Sequence, residues 1–219
     1  MIHLIPEREW YVNDYLLPSM LEQGIKREDI HLWNDTEHLG NLKSFVNSMQ
    51  ACSEYDCDGV WHLQDDVIIS HRFKELTEKF ESEGVVCGIC YKKRTPTLPT
   101  ARVDKINMWW SFQCIRIPTA VSKRFVNWYN TYASKTTVYK QYVADNKYDD
   151  TMFWIYMQDF EKEIKTVYNA TPNLVNHIDY LIGGSSLGYN RDFTLEAHYW
   201  DDEEDIRALE ELKKKLKNS

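Results

Sequence analysis

Short apolar runs alternate along the chain with longer segments whose apolar residues recur every three or four positions. Residues 2–5 form the first run and stop at Pro6. Residues 9–24 follow at helical spacing and end in a glycine, and Pro18 predicts a kink or a division within them. Residues 29–34 read as a second strand. Gly40 opens a loop, after which Leu42, Phe45, Val46 and Met49 mark a helix face. A third apolar run, 59–63, precedes a short helix over 73–80 and a strand over 85–91. Residues 108–117 are strand-like up to Pro118, and Thr119 starts a helix to about residue 132, with Val121, Phe125 and Trp128 on one face. Another helix begins near Asp150, since Phe153, Tyr156, Met157 and Phe160 keep helical spacing. Strand-like stretches 167–170 and 174–177 flank Pro172. The end, 201–217, is a helix with acids early and lysines late, as the helix dipole favours. Alternating short strands and helices predict an α/β fold with a mostly parallel sheet.

The third run carries the first chemical signal. It passes through Val60-Trp61-His62-Leu63-Gln64 and ends in Asp65-Asp66. Two adjacent carboxylates at the tip of a core strand repel each other and resist desolvation. A divalent cation such as Mn²⁺ or Mg²⁺ removes that repulsion, and open α/β sheets bind ligands at the carboxyl ends of their strands. A solvated turn leading into a helix cap explains the same two residues. Further on, residues 92–105 gather five basic residues, including Lys92, Lys93 and Arg94, among two prolines and three threonines. That composition predicts no regular element. It suits a solvated loop, or a loop touching a nucleotide phosphate or a nucleic-acid backbone.

Composition narrows the classes. A chain of 219 residues with 43% hydrophobic and 27% charged residues is long enough for one sizeable core. A net charge of -8 argues against a generally basic nucleic-acid-binding surface, while leaving room for a local basic groove. No run approaches the roughly 20 apolar residues of a membrane span, and the first residues lack the pattern of a signal peptide. Five scattered cysteines suit a reducing compartment, so a cytoplasmic protein is expected, bacterial or in a host cell if viral. Cys87 and Cys90 lie three apart on the strand expected over 85–91, hence on opposite faces, which disfavours a zinc site.

Three features then stand in order: Gln64-Asp65-Asp66 after a mid-chain strand, Asp149-Asp150 ahead of an apolar helix, and Pro172-Asn173-Leu174-Val175-Asn176-His177 near the end. Together they resemble the GT-A class of nucleotide-sugar glycosyltransferases, over roughly residues 1–190. The resemblance implies a GT-A-like domain over 1–200, with a mostly parallel mixed central sheet flanked by helices, followed by a charged helix over 201–219. It implies a DXD-type motif at Gln64-Asp65-Asp66, although the strict Asp-X-Asp spelling is absent. Asp66 would then ligate Mn²⁺ or Mg²⁺ together with His177, and Asp65 would face the ribose or share the ion. Asp150, paired with Asp149, would act as base in an inverting transfer, whereas capping the helix accounts equally for an acid there. Arg8 would meet a phosphate or the base of the donor, a UDP-sugar. Gly184 and Ser185 would offer backbone amides to phosphate oxygens, or form a plain loop. Trp109 and Trp110 would contact donor sugar or acceptor, or serve as core aromatics. The acceptor hydroxyl would belong to a saccharide or to a hydroxymethylated base in phage-type DNA, with Lys92, Lys93 and Arg94 on the phosphates. Two other classes fit less closely: a nucleotidyltransferase of similar fold, which lacks its usual glycine-rich loop here, and a non-catalytic carbohydrate or nucleic-acid binding module.

Overall fold

The computed structural model describes residues 1–6, 8–33, 39–80, 84–89, 102–104, 112–164, 166–183, 200 and 202–218. The first strand, β1 (Ile2–Ile5), leads into a helical run of α1 (Glu9–Tyr11), a π-turn (Val12–Leu16) and α2 (Leu17–Glu22). Pro18 lies in the first turn of α2, directly after the π-turn, so it divides the helix there instead of breaking it. Gly24, at φ +76°, closes the run while the Ile25 N–H bonds the Met20 carbonyl at 3.1 Å. Next come β2 (Ile30–Leu32) and α3 (Asn41–Cys52), then β3 (Gly59–Gln64) and a three-residue strand β4 (Val67–Ile69). Helix α4 (Phe73–Lys79) and β5 (Val85–Cys87) follow.

Strand β6 (Arg102–Asp104) corrects the expectation that 92–105 holds no regular element. It lies past the last proline of that stretch and, among the described residues, pairs with β8 at the edge of the sheet. Strand β7 (Cys114–Pro118) is shorter than the run expected over 108–117, since Phe112 and Gln113 stand outside it. Helix α5 (Thr119–Trp128) continues through a π-turn (Tyr129–Ala133), and α6 (Lys140–Asp145) has no apolar stripe that would have announced it. Helix α7 (Asp149–Ile155) also ends in a π-turn (Tyr156–Phe160). Strands β8 (Thr166–Asn169) and β9 (Val175–His177) and helix α8 (Glu203–Asn218) complete the order.

Seven strands make one sheet in the order β2-β1-β3-β7-β5-β8-β6. Strands β1, β2, β3, β5 and β8 run one way, and β6 and β7 run the other. The protein is therefore α/β, with a mixed, mostly parallel sheet flanked by helices, as expected. Neighbouring residues on each strand feed opposite layers. Val86 and Cys114 join a core with α2, α4 and Leu212 of α8. Val85, Cys87, Ile115 and Ile117 join a second core with α3, α5 and α7. Burial on both faces explains why β3 reads as a continuous run, Val60-Trp61-His62-Leu63, without a polar alternation. His62 belongs to that run because it stays neutral: burial, then His3 alongside, hold its pKa well below 6.5. Its ring stacks on His3 at 5.5 Å, with Phe45 edge-on at 5.8 Å.

Among the described residues, no helix is long and apolar enough to cross a membrane. Cys52, Cys87 and Cys114 are buried thiols without disulfides, and burial pushes Cys52 and Cys114 up, out of the thiolate range. Cys90 lies outside the described residues.

Candidate functional site

Strand β3 delivers Asp65 and Asp66 to the carboxyl edge of the parallel strands, and the chain then turns at once into β4. Strand β4 leaves the large sheet and pairs antiparallel with β9, placing Val67 opposite His177. The Ile178 N–H bonds the Asp66 carbonyl at 2.8 Å and continues that pairing past both residues. Two segments far apart in sequence are thereby fixed side by side through backbone contacts.

The two acids have separate partners. Asp65 is 4% exposed and grips Arg8: one oxygen accepts the Arg8 backbone N–H, and Oδ1 accepts Nη1 at 2.8 Å. Asp66 turns toward His177, with Oδ2 3.0 Å from Nε2. Burial works against its ionisation, yet His177 and then Arg8 outweigh that and hold its pKa below the ordinary 3.8. Asp179 also approaches this nitrogen, with Oδ2 3.6 Å from Nε2. Its Oδ1 accepts the Tyr180 N–H at 2.8 Å, at the start of a 3₁₀ turn (Asp179–Leu181). Two oxygens in this group, Asp66 Oδ1 and Asp179 Oδ2, are buried without a hydrogen-bond partner. Tyr11 reports the local field. Its hydroxyl donates to the Val67 carbonyl at 2.9 Å, and burial followed by the charges of Asp65 and Asp66 pushes its pKa far up.

Such a donor set fits a hard divalent cation. Carboxylates are its usual protein ligands, a single imidazole beside them favours Mn²⁺ over Mg²⁺, and buried orphaned carboxylate oxygens are costly unless something neutralises them. Asp179 was missed in the sequence. The signal was present: His177-Ile178-Asp179 sets an acid two positions after the histidine.

The second acidic pair reaches the same edge of the sheet by another route. Helix α3 starts after the carboxyl end of β2, and Gly40 (φ +82°) precedes it. Asn146 fastens the approach to α7 onto that start: its Oδ1 accepts the Lys43 N–H at 2.9 Å and its carbonyl the Leu42 N–H at 3.3 Å. Asp149 and Asp150 follow three and four residues later as the opening turn of α7. Neither is the cap. Tyr148 occupies that position with no side-chain cap bond, which removes the capping explanation. The helix N-terminus does not lower the pKa of Asp150: burial raises it above 3.8, against the bonds from Thr151 at 2.5 and 3.2 Å.

Of the sequence candidates, the structure brings together Arg8, Asp65, Asp66 and His177, and sets Asp149 and Asp150 at the same sheet edge. Lys92, Lys93, Arg94, Trp109, Trp110, Gly184 and Ser185 lie outside the described residues.

No protein-family model matches the chain, and no curated protein matches it. Among solved structures, it is similar to a glycosyltransferase involved in the glycosylation of the major capsid of PBCV-1. The superposition covers 100% of this chain and 99% of that one, at 12% identity and a TM-score of 0.41, a likeness too slight to carry an argument.

Proposed function

We propose that the chain is a divalent-metal-dependent glycosyltransferase that moves a sugar from a nucleotide-sugar donor, a UDP-sugar, to an acceptor hydroxyl with inversion. One observation carries this: at the carboxyl edge of the sheet, Asp66 and Asp179 flank His177 Nε2 at 3.0 and 3.6 Å and keep two buried oxygens without hydrogen bonds. Asp66 and His177 would hold Mn²⁺ or Mg²⁺. Bound there, the ion supplies positive charge to the diphosphate as it departs. Asp65 fixes the Arg8 guanidinium beside that position, where it adds a second cation toward the same phosphates. Asp150 takes the proton of the acceptor hydroxyl while that oxygen bonds the anomeric carbon and the bond to the diphosphate breaks. Burial makes its carboxylate a stronger base than an exposed one, and Asp149 stands next to it. A net charge of -8 favours a saccharide hydroxyl over one on DNA as the acceptor.

The test is turnover of a panel of sugar nucleotides with Mn²⁺ or Mg²⁺, with and without chelator, using saccharide and hydroxymethylated-DNA acceptors. Chelator-sensitive release of nucleoside diphosphate is expected from one donor. Activity that survives chelation would overturn the metal assignment. DNA binding that falls steeply with salt would favour the nucleic-acid acceptor. Replacing Asp150 with Asn should lower turnover by about 100-fold or more, the usual weight of a general base. The wild-type rate should fall on the acid side as Asp150 protonates, with a midpoint above 3.8 because its pKa is raised. A pH profile unchanged in Asp150→Asn would remove Asp150 from the chemistry.

A further inference from the structure

We propose that Asp179 is the third protein ligand of the divalent cation, taking the place that the first acid of a two-acid metal motif would hold. This rests on the metal-dependent site proposed above and adds to it a residue that the adjacent pair Asp65-Asp66 does not announce.

Asp65 is committed elsewhere. Both of its oxygens are used on Arg8, one on the backbone N–H and one on the guanidinium at 2.8 Å. Drawing it to an ion would strip Arg8 of both of these bonds. Asp179 is placed the opposite way. Its side chain is 5% exposed, and its two oxygens have different tasks. Oδ1 is tied to the Tyr180 N–H, which sets the carboxylate plane, and Oδ2 is directed at His177 without a hydrogen bond. Asp66 mirrors it, with Oδ2 on the same nitrogen and Oδ1 buried and unpartnered. A neutral imidazole carries one proton and satisfies at most one of two carboxylates at a single nitrogen. The pairing of β4 with β9 holds this frustrated arrangement in place, because Val67 lies opposite His177 and Ile178 bonds the Asp66 carbonyl. A divalent cation held by Nε2 and by both acids would neutralise the two carboxylates that meet at that one nitrogen.

Another histidine–acid group of the same residue types leaves no carboxylate oxygen of its buried acid over. Ligand atoms of His71, Asp202 and Asp205 lie within 4.8 Å of one another. There Asp205 Oδ1 accepts the His71 N–H and ring nitrogen at 2.7 and 3.0 Å, and Oδ2 accepts the Ser70 hydroxyl at 2.9 Å. Its carboxylate has no buried oxygen left over, and that group carries no metal proposal.

The experiment is Mn²⁺ binding by the full chain without donor, followed by the loss of the free-ion paramagnetic resonance signal, with thermal melts checking that each variant folds. Asp179→Asn keeps the shape and removes the charge, and should weaken Mn²⁺ by about 10- to 100-fold, comparable to Asp66→Asn. Asp65→Asn should weaken it much less. Asp179→Cys should lose Mn²⁺ yet gain Cd²⁺ relative to the wild-type protein, a swap in preference that a merely structural role would not produce. If Asp179→Asn and Asp179→Cys bind both ions as the wild type does while Asp66→Asn binds no Mn²⁺, the assignment of Asp179 is overturned and the metal site stands. If the wild-type chain takes up no Mn²⁺, the metal site fails and this inference fails with it.

Discussion

Strand β4 is only three residues long, and each of its ends carries a histidine–acid group. At its start, Asp66 meets His177 and Asp179; just past its end, His71 meets Asp202 and Asp205. Both groups join segments remote in sequence, and each has a buried acid, Asp179 in one and Asp205 in the other. They differ in what is left over. Asp205 gives one oxygen to the His71 backbone and ring and the other to Ser70, so α8 is fastened to the turn after β4 with each carboxylate oxygen in use. Asp66 and Asp179 share one imidazole nitrogen and keep two oxygens without hydrogen bonds. A buried carboxylate oxygen without a partner is costly unless a bound group supplies one. The same residue types, a few residues apart, thus serve as a fastener at one end of β4 and as a candidate ligand set at the other.

The largest effect that separates the two ends is on turnover. Asp66→Ala removes a proposed ligand of the ion that would stabilise the leaving diphosphate, and should cost several kcal/mol, a loss of about 1000-fold. Asp205→Ala, measured where both variants are folded, should change turnover by less than about 10-fold, because its partners are Ser70 and His71 and no proposed site residue. Equal losses from the two substitutions would mean that α8 belongs to the active site and that the contrast is mistaken.

Thermal stability should reverse that order. Asp205→Ala leaves the Ser70 hydroxyl, the His71 N–H and the His71 ring without their shared acceptor. Bonds to a buried charge of this kind should cost about 3 kcal/mol together, or about 10 °C in melting temperature for a chain of this size. The packing of Leu212 against the core would weaken with it. A calorimetric scan that shows no shift would mean that α8 is held by its apolar face alone.

These differences explain which parts of the molecule were legible from the sequence. Elements with strong local signals were found with little error: β1 ends at Pro6, α3 has Leu42, Phe45, Val46 and Met49 on its inner face, and α5 starts at Thr119 after Pro118. Strands β4 and β6 have three residues each, and their existence depends on partners at β9 and β8. No local pattern encodes that. For the same reason Asp65 and Asp66 were visible as a pair, whereas their division of labour was not. Arg8 lies 57 residues from Asp65 and His177 lies 111 residues from Asp66, and the fold alone decides who meets whom. Asp179 carried a local signal in its spacing from His177, but an acid beside a turn has many ordinary explanations.

The smallest expected effect is also the most discriminating, because it concerns the protein without metal. Asp179→Asn removes a negative charge whose Oδ2 has no hydrogen bond and which shares His177 with Asp66. An amide there relieves the repulsion between the two acids and can still accept the Tyr180 N–H through its oxygen. In chelator, this variant should therefore melt within about 2 °C of the wild type, or above it, a change of under ~1 kcal/mol. Asp205→Asn in the same buffer exchanges one accepting oxygen for a donor that faces the Ser70 or His71 donors, and should melt lower. Saturating Mn²⁺ should then separate the pair in the other direction: it should raise the wild type and Asp205→Asn by mass action and leave Asp179→Asn nearly unmoved. If chelated Asp179→Asn falls as far as Asp205→Asn, the carboxylate of Asp179 is stabilising the fold as it stands, and the two ends of β4 are fasteners of the same kind.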